Sequence, residues 1–560
     1  MGFSTDLDVL DLLHATVRSY KGVGLLLLAL VILTLLIEAY RTDLPRIPGI
    51  PQVPCALPFV GHLHRLGGRI GQNDSTVFTQ WAKDLKSSVF QCLLGSQRTV
   101  VVSDWPTIRE LWLRQSNALI DRPHQPGFVD KLGIDLTGSC MTDQIRKCRA
   151  AGMRALAKVG DAPLVMTGQR PWESSSMLTG VQQPAWPKYY HLIEPSSAQF
   201  ISSLHQRSDN GKTPIDTYAF LRHIVFDLVL SLTYGARFGK VDDDFTLGLI
   251  KSINAISSFR SSTKKYRFFV PLLRLLPDPT SQIVAAERAR ARYRDILYNQ
   301  YKDRIARGET VDCIVTSLTE DKLTEEEIHG TCLGLLQAAP DTVASGLYQA
   351  IAWLSSPEGR PTQERALTAI LDAYGGDRTK AWKNAFREEK VPLISSINKE
   401  TLRFFTVTPY ATPRRTTEDV TLPNGVVLPK GITLVMNAQE ANHEEAHYGA
   451  DAWTYKPDRF ITNEAGGGLP HLTFGAGSRI CPAVAISNRI ICALLTRLVL
   501  AFEMDGSEDE ARRPNVDALD FSNVYDSLVA HPRFYDCRFK ARDPDWLENE
   551  LADELAASAD

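Results

Sequence analysis

The strongest pattern along the chain is an unbroken apolar block. Gly22 to Ile37 reads GVGLLLLALVILTLLI, relieved only by Thr34 and two glycines. Extended to Tyr40 it reaches the roughly 20 residues that a membrane-spanning helix needs. Residues 22–40 are therefore expected to be a transmembrane anchor behind a short N-terminal segment, 1–21. A cleaved signal peptide is the rival, but it requires a shorter core and small residues at the cleavage point, which Ala39-Tyr40-Arg41 does not offer. Pro45, Pro48, Pro51, Pro54 and Pro58 then space out residues 41–60, which cannot be helical. They predict a stiff, extended strap, either a plain linker or the join between an anchor and a globular body.

Beyond the strap the periodicity changes. Residues 89–104 read as two short strands about a Gly-Ser turn. From about 190 to 300, apolar residues recur at three- and four-residue spacing, as in Phe220, Ile224, Leu228 and Leu232, and predict helices. Residues 264–275 mix bases with an apolar cluster, which suits core packing or a second membrane-dipping contact. Another long helix is expected from near Leu323, with Thr324 as a cap and Glu325, Glu326 and Glu327 placed where the helix dipole favours acids. Short strands recur between Val420 and Val435 around the turn Pro423-Asn424-Gly425. Residues 544–560 are acidic and read as a solvated tail. The pattern predicts a mainly α protein with small β-sheets (α+β) and one large unit over 61–543.

Composition narrows the function classes. With 62 Lys and Arg against 65 Asp and Glu, the formal charge is -3, so the basic excess of a nucleic-acid binder is missing and no nucleic-acid partner is expected. The nine cysteines are scattered, odd in number and without paired metal-type spacing. That suits reduced thiols in a cytosol-facing domain, each by default a small buried hydrophobe.

Only Cys481 has a context that overturns this default. Phe474-Gly475-Ala476-Gly477-Ser478-Arg479-Ile480-Cys481-Pro482-Ala483 is a small-residue loop whose backbone can approach a flat ligand closely. It delivers a cysteine to the start of an apolar helix-like segment, where free N–H groups and the helix dipole favour thiolate. Arg479 can reach an anionic group on the same ligand. A generic glycine-rich loop is the plain alternative. Upstream, Glu400-Thr401-Leu402-Arg403 sets opposite charges on one helix face at i,i+3 spacing, a pattern also common as surface decoration. Ala338-Ala339-Pro340-Asp341-Thr342 places a proline inside the long helix, which must bend or open there. Asp341 and Thr342 put an acid and a hydroxyl at that opening, unless the segment is merely a kinked structural helix.

In this order and spacing the three motifs resemble the cytochrome P-450 superfamily, from the anchor to about Asp543. The nearest likeness is to fungal microsomal members acting on small aromatic acids and phenols, carried by the AAPDTVASGLY run and the ending LVAHPRFYDCRFKARD. The resemblance implies a heme b cofactor with Cys481 as the thiolate ligand that pushes electron density toward O–O cleavage. It makes Thr342 and Asp341 a proton relay, and Glu400 with Arg403 a structural ion pair joined by Arg459. Arg479 and Arg414 would hold the propionates. Phe474, Gly477 and Ala339 would border the heme, and Ala338, Val407 to Tyr410, the 121–140 loop, the 250–270 region and Tyr525 to Leu528 would meet substrate. Implied partners are an NADPH-dependent reductase, cytochrome b5 and the endoplasmic reticulum membrane, with the catalytic domain facing the cytosol.

Several positions depart from the family pattern. Ala339 and Ala483 stand where glycine is usual. Met141 falls where a tryptophan often contacts a propionate, which leaves Arg146 and Arg149 weak heme contacts. Val159 to Gln183 has little periodicity and interrupts Ala-Leu-Ala-Lys-Pro-Ala-Trp-Pro. Its 25 residues correspond to 75 nucleotides, with codons compatible with splice and branch signals. It reads as an unspliced intron or as a surface insertion. The leading function is hydroxylation of a small aromatic or phenolic precursor in secondary metabolism. Oxidative rearrangement, ring coupling or dehydration is a second reading, and a non-catalytic heme sensor a third; Asp341 and Thr342 count against both.

Overall fold

The computed structural model describes residues 23–37, 41–68, 71–124, 129–158, 190–235, 244–259, 266–270, 273, 280–461 and 469–556. Its first element, α1 (Val23–Ile37), is a short apolar helix whose leucines and isoleucines are between 41% and 68% exposed. The strap that follows is no free linker. Ile47, Ile50 and Val53 are buried, and Gln91 Nε2 donates to the carbonyls of Ile47 and Ile50, holding the strap along the first strand.

The principal elements of the body run in order α2 (Asp74–Leu85), β1 (Val89–Leu94), β2 (Gln97–Val102), α3 (Asp143–Lys158), α4 (Tyr190–Ser208), α5 (Tyr218–Tyr234), α6 (Asp244–Ser258) and α7 (Thr280–Ala306). They continue with α8 (Glu325–Leu354), α9 (Pro392–Phe405), β3 (Arg414–Arg415), β4 (Val420–Thr421), β5 (Val427–Leu428), β6 (Thr433–Met436), α10 (Val484–Ala501), β7 (Phe502–Gly506), β8 (Cys537–Ala541) and α11 (Pro544–Ala556). One sheet has the order β1-β2-β6-β3, with β2 and β6 parallel and the outer pairs antiparallel. Two small two-stranded antiparallel sheets, β4-β5 and β7-β8, complete the strands among the described residues.

The spine is α8, which packs along α5 and also meets α3, α9 and α10. It begins with the expected cap: Thr324 Oγ1 accepts from the Glu327 N–H, and Glu327 Oε2 accepts from the Thr324 N–H. Helix α10 is long and apolar enough to cross a bilayer, yet most of it is buried inside the protein. A helix apolar on every side can be satisfied by a protein core as well as by lipid, and here the core wins.

Two expectations change. The presumed solvated tail is α11, with Leu547 and Leu551 buried at i,i+4 spacing against the body. Its Glu554 accepts hydrogen bonds from Trp382 Nε1 and Arg497 Nη1, both at 2.9 Å; acidic composition hid an amphipathic face with its own counter-charge. Within 264–275, Tyr266–Phe269 form one helical turn, Val270 is buried, and Tyr266, Phe269 and Leu273 pack against the cluster around Trp81 and Phe90. Core packing therefore accounts for these residues. Val159 to Gln183 lies outside the described residues.

Candidate active site

The loop carrying Cys481 is closed by its own backbone. The Gly475 N–H donates to Leu472 O and the Cys481 N–H to Phe474 O, at 2.8 and 3.0 Å. Both glycines have positive φ, but for different reasons. A Cβ on Gly475 would meet open space, and Gly475 lines the cavity described next. A Cβ on Gly477 would come within 1.8 Å of the Trp112 carbonyl oxygen. Gly477 thus serves the close approach of the loop to the π-helical segment Arg109–Arg114, and not contact with a ligand, as the sequence suggested. Ala476 is likewise buried in that packing. Cys481 sits just before α10. Burial pushes its thiol up, while the Ala483 N–H and the Arg149 guanidinium pull it down.

Cys481 borders a cavity of about 330 Å³. Phe474 and Ile480 line it with Cys481, as do Ala338, Ala339, Asp341 and Thr342 of α8. Val225, Val229 and Leu232 of α5, with Val407, Leu528 and Val529, supply apolar walls. Pro340 lies within α8, and the Thr342 hydroxyl donates to the Ala338 carbonyl at 2.8 Å. Asp341 Oδ1 is 2.8 Å from Arg222 Nε of α5, and Arg222 also donates to Asn254. His531 joins the wall nearby, with Nδ1 3.4 Å from the Tyr218 hydroxyl.

One side of the cavity carries four guanidinium groups: Arg122, Arg149, Arg414 and Arg479. Arg414 donates to the carbonyls of Leu119 and Ala476, Arg479 to those of Ile120, Leu136 and Ser139, and Arg122 to those of Thr412 and Pro413. The Nε atoms of Arg122 and Arg479 are buried without a partner among the described residues. Burial, then repulsion from one another, holds Arg122 and Arg414 well below the usual arginine range, and Arg479 down to about 10. Asp135 for Arg122, and Asp121 with Asp135 for Arg479, offset only part of this, and buried cations short of counter-charge are costly. The arrangement calls for a ligand that brings carboxylates to the arginines and a metal to the thiol, and an iron porphyrin fits both demands. Arg122 was read only as part of a substrate loop, and nothing in its neighbourhood marked it out. Arg149 is better placed than its weak sequence context implied. Arg146 is not: its side chain is 62% exposed and pairs with Asp143.

Behind the site, Arg403 forms a two-pronged pair with Glu400, both contacts at 2.8 Å and both side chains fully buried. Arg459 adds a contact to Glu400 at 3.2 Å. Arg403 also donates to the Asn442 carbonyl, and Asn442 Oδ1 accepts from the Leu472 N–H. The pair therefore braces the chain that enters the cysteine loop. Tyr410, expected at the substrate, is instead packed with Trp81, Phe90 and Val435. The Ala411 N–H bonds back to Thr408 O in a turn that leaves Thr408 and Ala411 on the cavity and sends Tyr410 into the core.

The cytochrome P450 family model matches residues 174–524. The chain is 32% identical to a phenylacetate 2-hydroxylase of Emericella nidulans, over 92% of this chain and 94% of that protein. The chain belongs to the cytochrome P450 family. It is also 25% identical to a 3-hydroxyphenylacetate 6-hydroxylase of Emericella nidulans, over 91% of this chain and 92% of the relative. A cytochrome P450 monooxygenase of Mycosarcoma maydis shares 26% identity, over 81% of each chain. The chain is thus a cytochrome P450 monooxygenase.

Proposed function

We propose that this P450 hydroxylates a small aromatic acid or phenol, with Cys481 as the heme ligand. The observation that carries the reading is the shared lining of one cavity: a cysteine thiol, four arginines, and Asp341 with Thr342, among apolar side chains. Heme bound there supplies binding and reductive activation of O₂. The chain's own residues do the rest. Arg122, Arg149, Arg414 and Arg479 would hold the propionates, while the α5 and Val407 walls orient an apolar ring and exclude water. The Thr342 hydroxyl gives its hydrogen to Ala338 O, which leaves its lone pairs free to accept a proton donor from the cavity. Asp341 is held by Arg222, so any relay through its carboxylate requires that pair to open.

The substrate class rests on the relatives' names, which specify phenylacetate and a hydroxyphenylacetate. Electrons would come from NADPH through a separate reductase, with cytochrome b5 as an auxiliary donor, and the product would enter secondary metabolism. Exposed α1 would anchor the protein in the endoplasmic reticulum membrane with the body facing the cytosol. Val159 to Gln183 we assign to an unspliced intron; a transcript carrying all 75 corresponding nucleotides as its main form overturns that. The function is tested by titrating the purified holoprotein with aryl acids and phenols while following the heme spectrum, then measuring substrate-dependent NADPH consumption with a reductase. Spin-state shifts with aryl acids support the reading; shifts only with aliphatic ligands reject it. Thr342→Ala should raise the share of electrons recovered as peroxide.

A further inference from the structure

The cavity wall holds a buried donor with no acceptor among the described residues. Gln337 lies on α8 one turn before Asp341 and lines the cavity. Its Oε1 accepts from Arg290 Nη1 of α7 at 3.3 Å. That bond decides which end of the amide is which, because a guanidinium can only donate and must face the oxygen. Nε2 therefore points away from Arg290, and it is buried with no partner among the described residues. Arg290 is held in turn from behind: it is only 4% exposed, and its Nη2 meets Glu287 Oε2 at 2.5 Å. Flipping the amide would set N–H against N–H inside the protein. Buried amide donors are almost always satisfied. One on a cavity wall, locked from behind, is positioned to donate to an acceptor that a ligand brings.

The surroundings limit what that ligand is. Val225, Val229 and Leu232 give the same cavity an apolar lining, which suits a ring. From Gln337 to Thr342 the helix rises about 7.5 Å, close to the length of one ring with a short side chain. A ligand held at Gln337 by an oxygen at one end would lay its ring beneath Ala338 and Thr342.

We propose that Gln337 is a specificity-determining residue, its Nε2 donating to one oxygen of the substrate's carboxylate while Arg290 fixes the amide's orientation. The inference rests on the aryl-acid reading given above, and the experiment separates the two. Full-length holoprotein is titrated with phenylacetate, acetophenone and ethylbenzene, a frame of similar size without an oxygen, following the spin-state shift. Gln337→Leu should weaken phenylacetate binding about tenfold, the worth of one hydrogen bond, and leave ethylbenzene unchanged. Gln337→Glu should weaken phenylacetate further, since carboxylate then meets carboxylate. Arg290→Met should erase the preference for phenylacetate over ethylbenzene, without the uniform loss that a packing defect brings. Unchanged phenylacetate affinity in Gln337→Leu, or a parallel loss for phenylacetate and ethylbenzene, overturns the proposal. Wild-type protein that binds acetophenone but no aryl acid defeats the acid reading alone, and the Gln337→Leu effect on acetophenone then decides the role of Gln337.

Discussion

Replacing Arg403 with leucine should cost this protein most of its stability while touching nothing in the cavity. Arg403 is fully buried and donates twice to Glu400, and to the Asn442 and Ala452 carbonyls at 2.7 Å each. Breaking a buried ion pair from one side costs about 3–5 kcal/mol. Glu400 keeps the Lys456 N–H at 2.7 Å and Arg459 at 3.2 Å, so the lower half of that range applies. Two orphaned carbonyls add about 1–3 kcal/mol each. The sum, roughly 5–10 kcal/mol, rivals the whole stability of a typical domain, about 5–15 kcal/mol. Arg403→Lys keeps the charge but cannot fork to the carboxylate and both carbonyls, and should lose about half as much. The pair Glu400→Gln with Arg403→Met should be milder than the sum of its single changes. Urea unfolding of purified protein, read by tryptophan fluorescence alongside heme retention, measures all three. An Arg403→Leu protein that unfolds at the wild-type urea concentration would refute the reasoning.

Cys481→Ser should abolish the thiolate-type spectrum of the reduced, CO-bound protein; a spectrum identical to wild type removes Cys481 as ligand. Gly477→Ala should destabilise by at least about 2 kcal/mol, since a side chain at positive φ costs about 1–2 kcal/mol before the contact with Trp112 O is counted; thermal unfolding checks it. Stability should also fall as pH drops. Burial, then Arg403 for His443 and Lys399 for His471, hold these two histidines down to about 3. They stay neutral when folded but protonate near 6.5 when unfolded, so the unfolded chain binds more protons between about pH 6.5 and 3. Each contributes at most about 1.4 kcal/mol per pH unit in that window. Urea midpoints from pH 7 to 5 should fall, and His443→Asn should flatten the slope.

The sequence by itself determined the apolar block at α1, the capped start of α8 and the cysteine loop before α10. Each of these is a local matter: run length, a cap three residues from its acid, a loop of small residues. Glu400 and Arg403 were legible as a pair because helix geometry brings i,i+3 residues together, but spacing could not say whether the pair was exposed or buried. Tertiary structure alone settled that. It also drew Arg122 and Arg149 from distant segments to Arg414 and Arg479, turned Tyr410 inward, set Arg222 on Asp341, and docked an acidic C-terminal helix through Leu547 and Leu551. Burial and counter-charge depend on neighbours far along the chain, and no periodicity in a single segment records which neighbours those are.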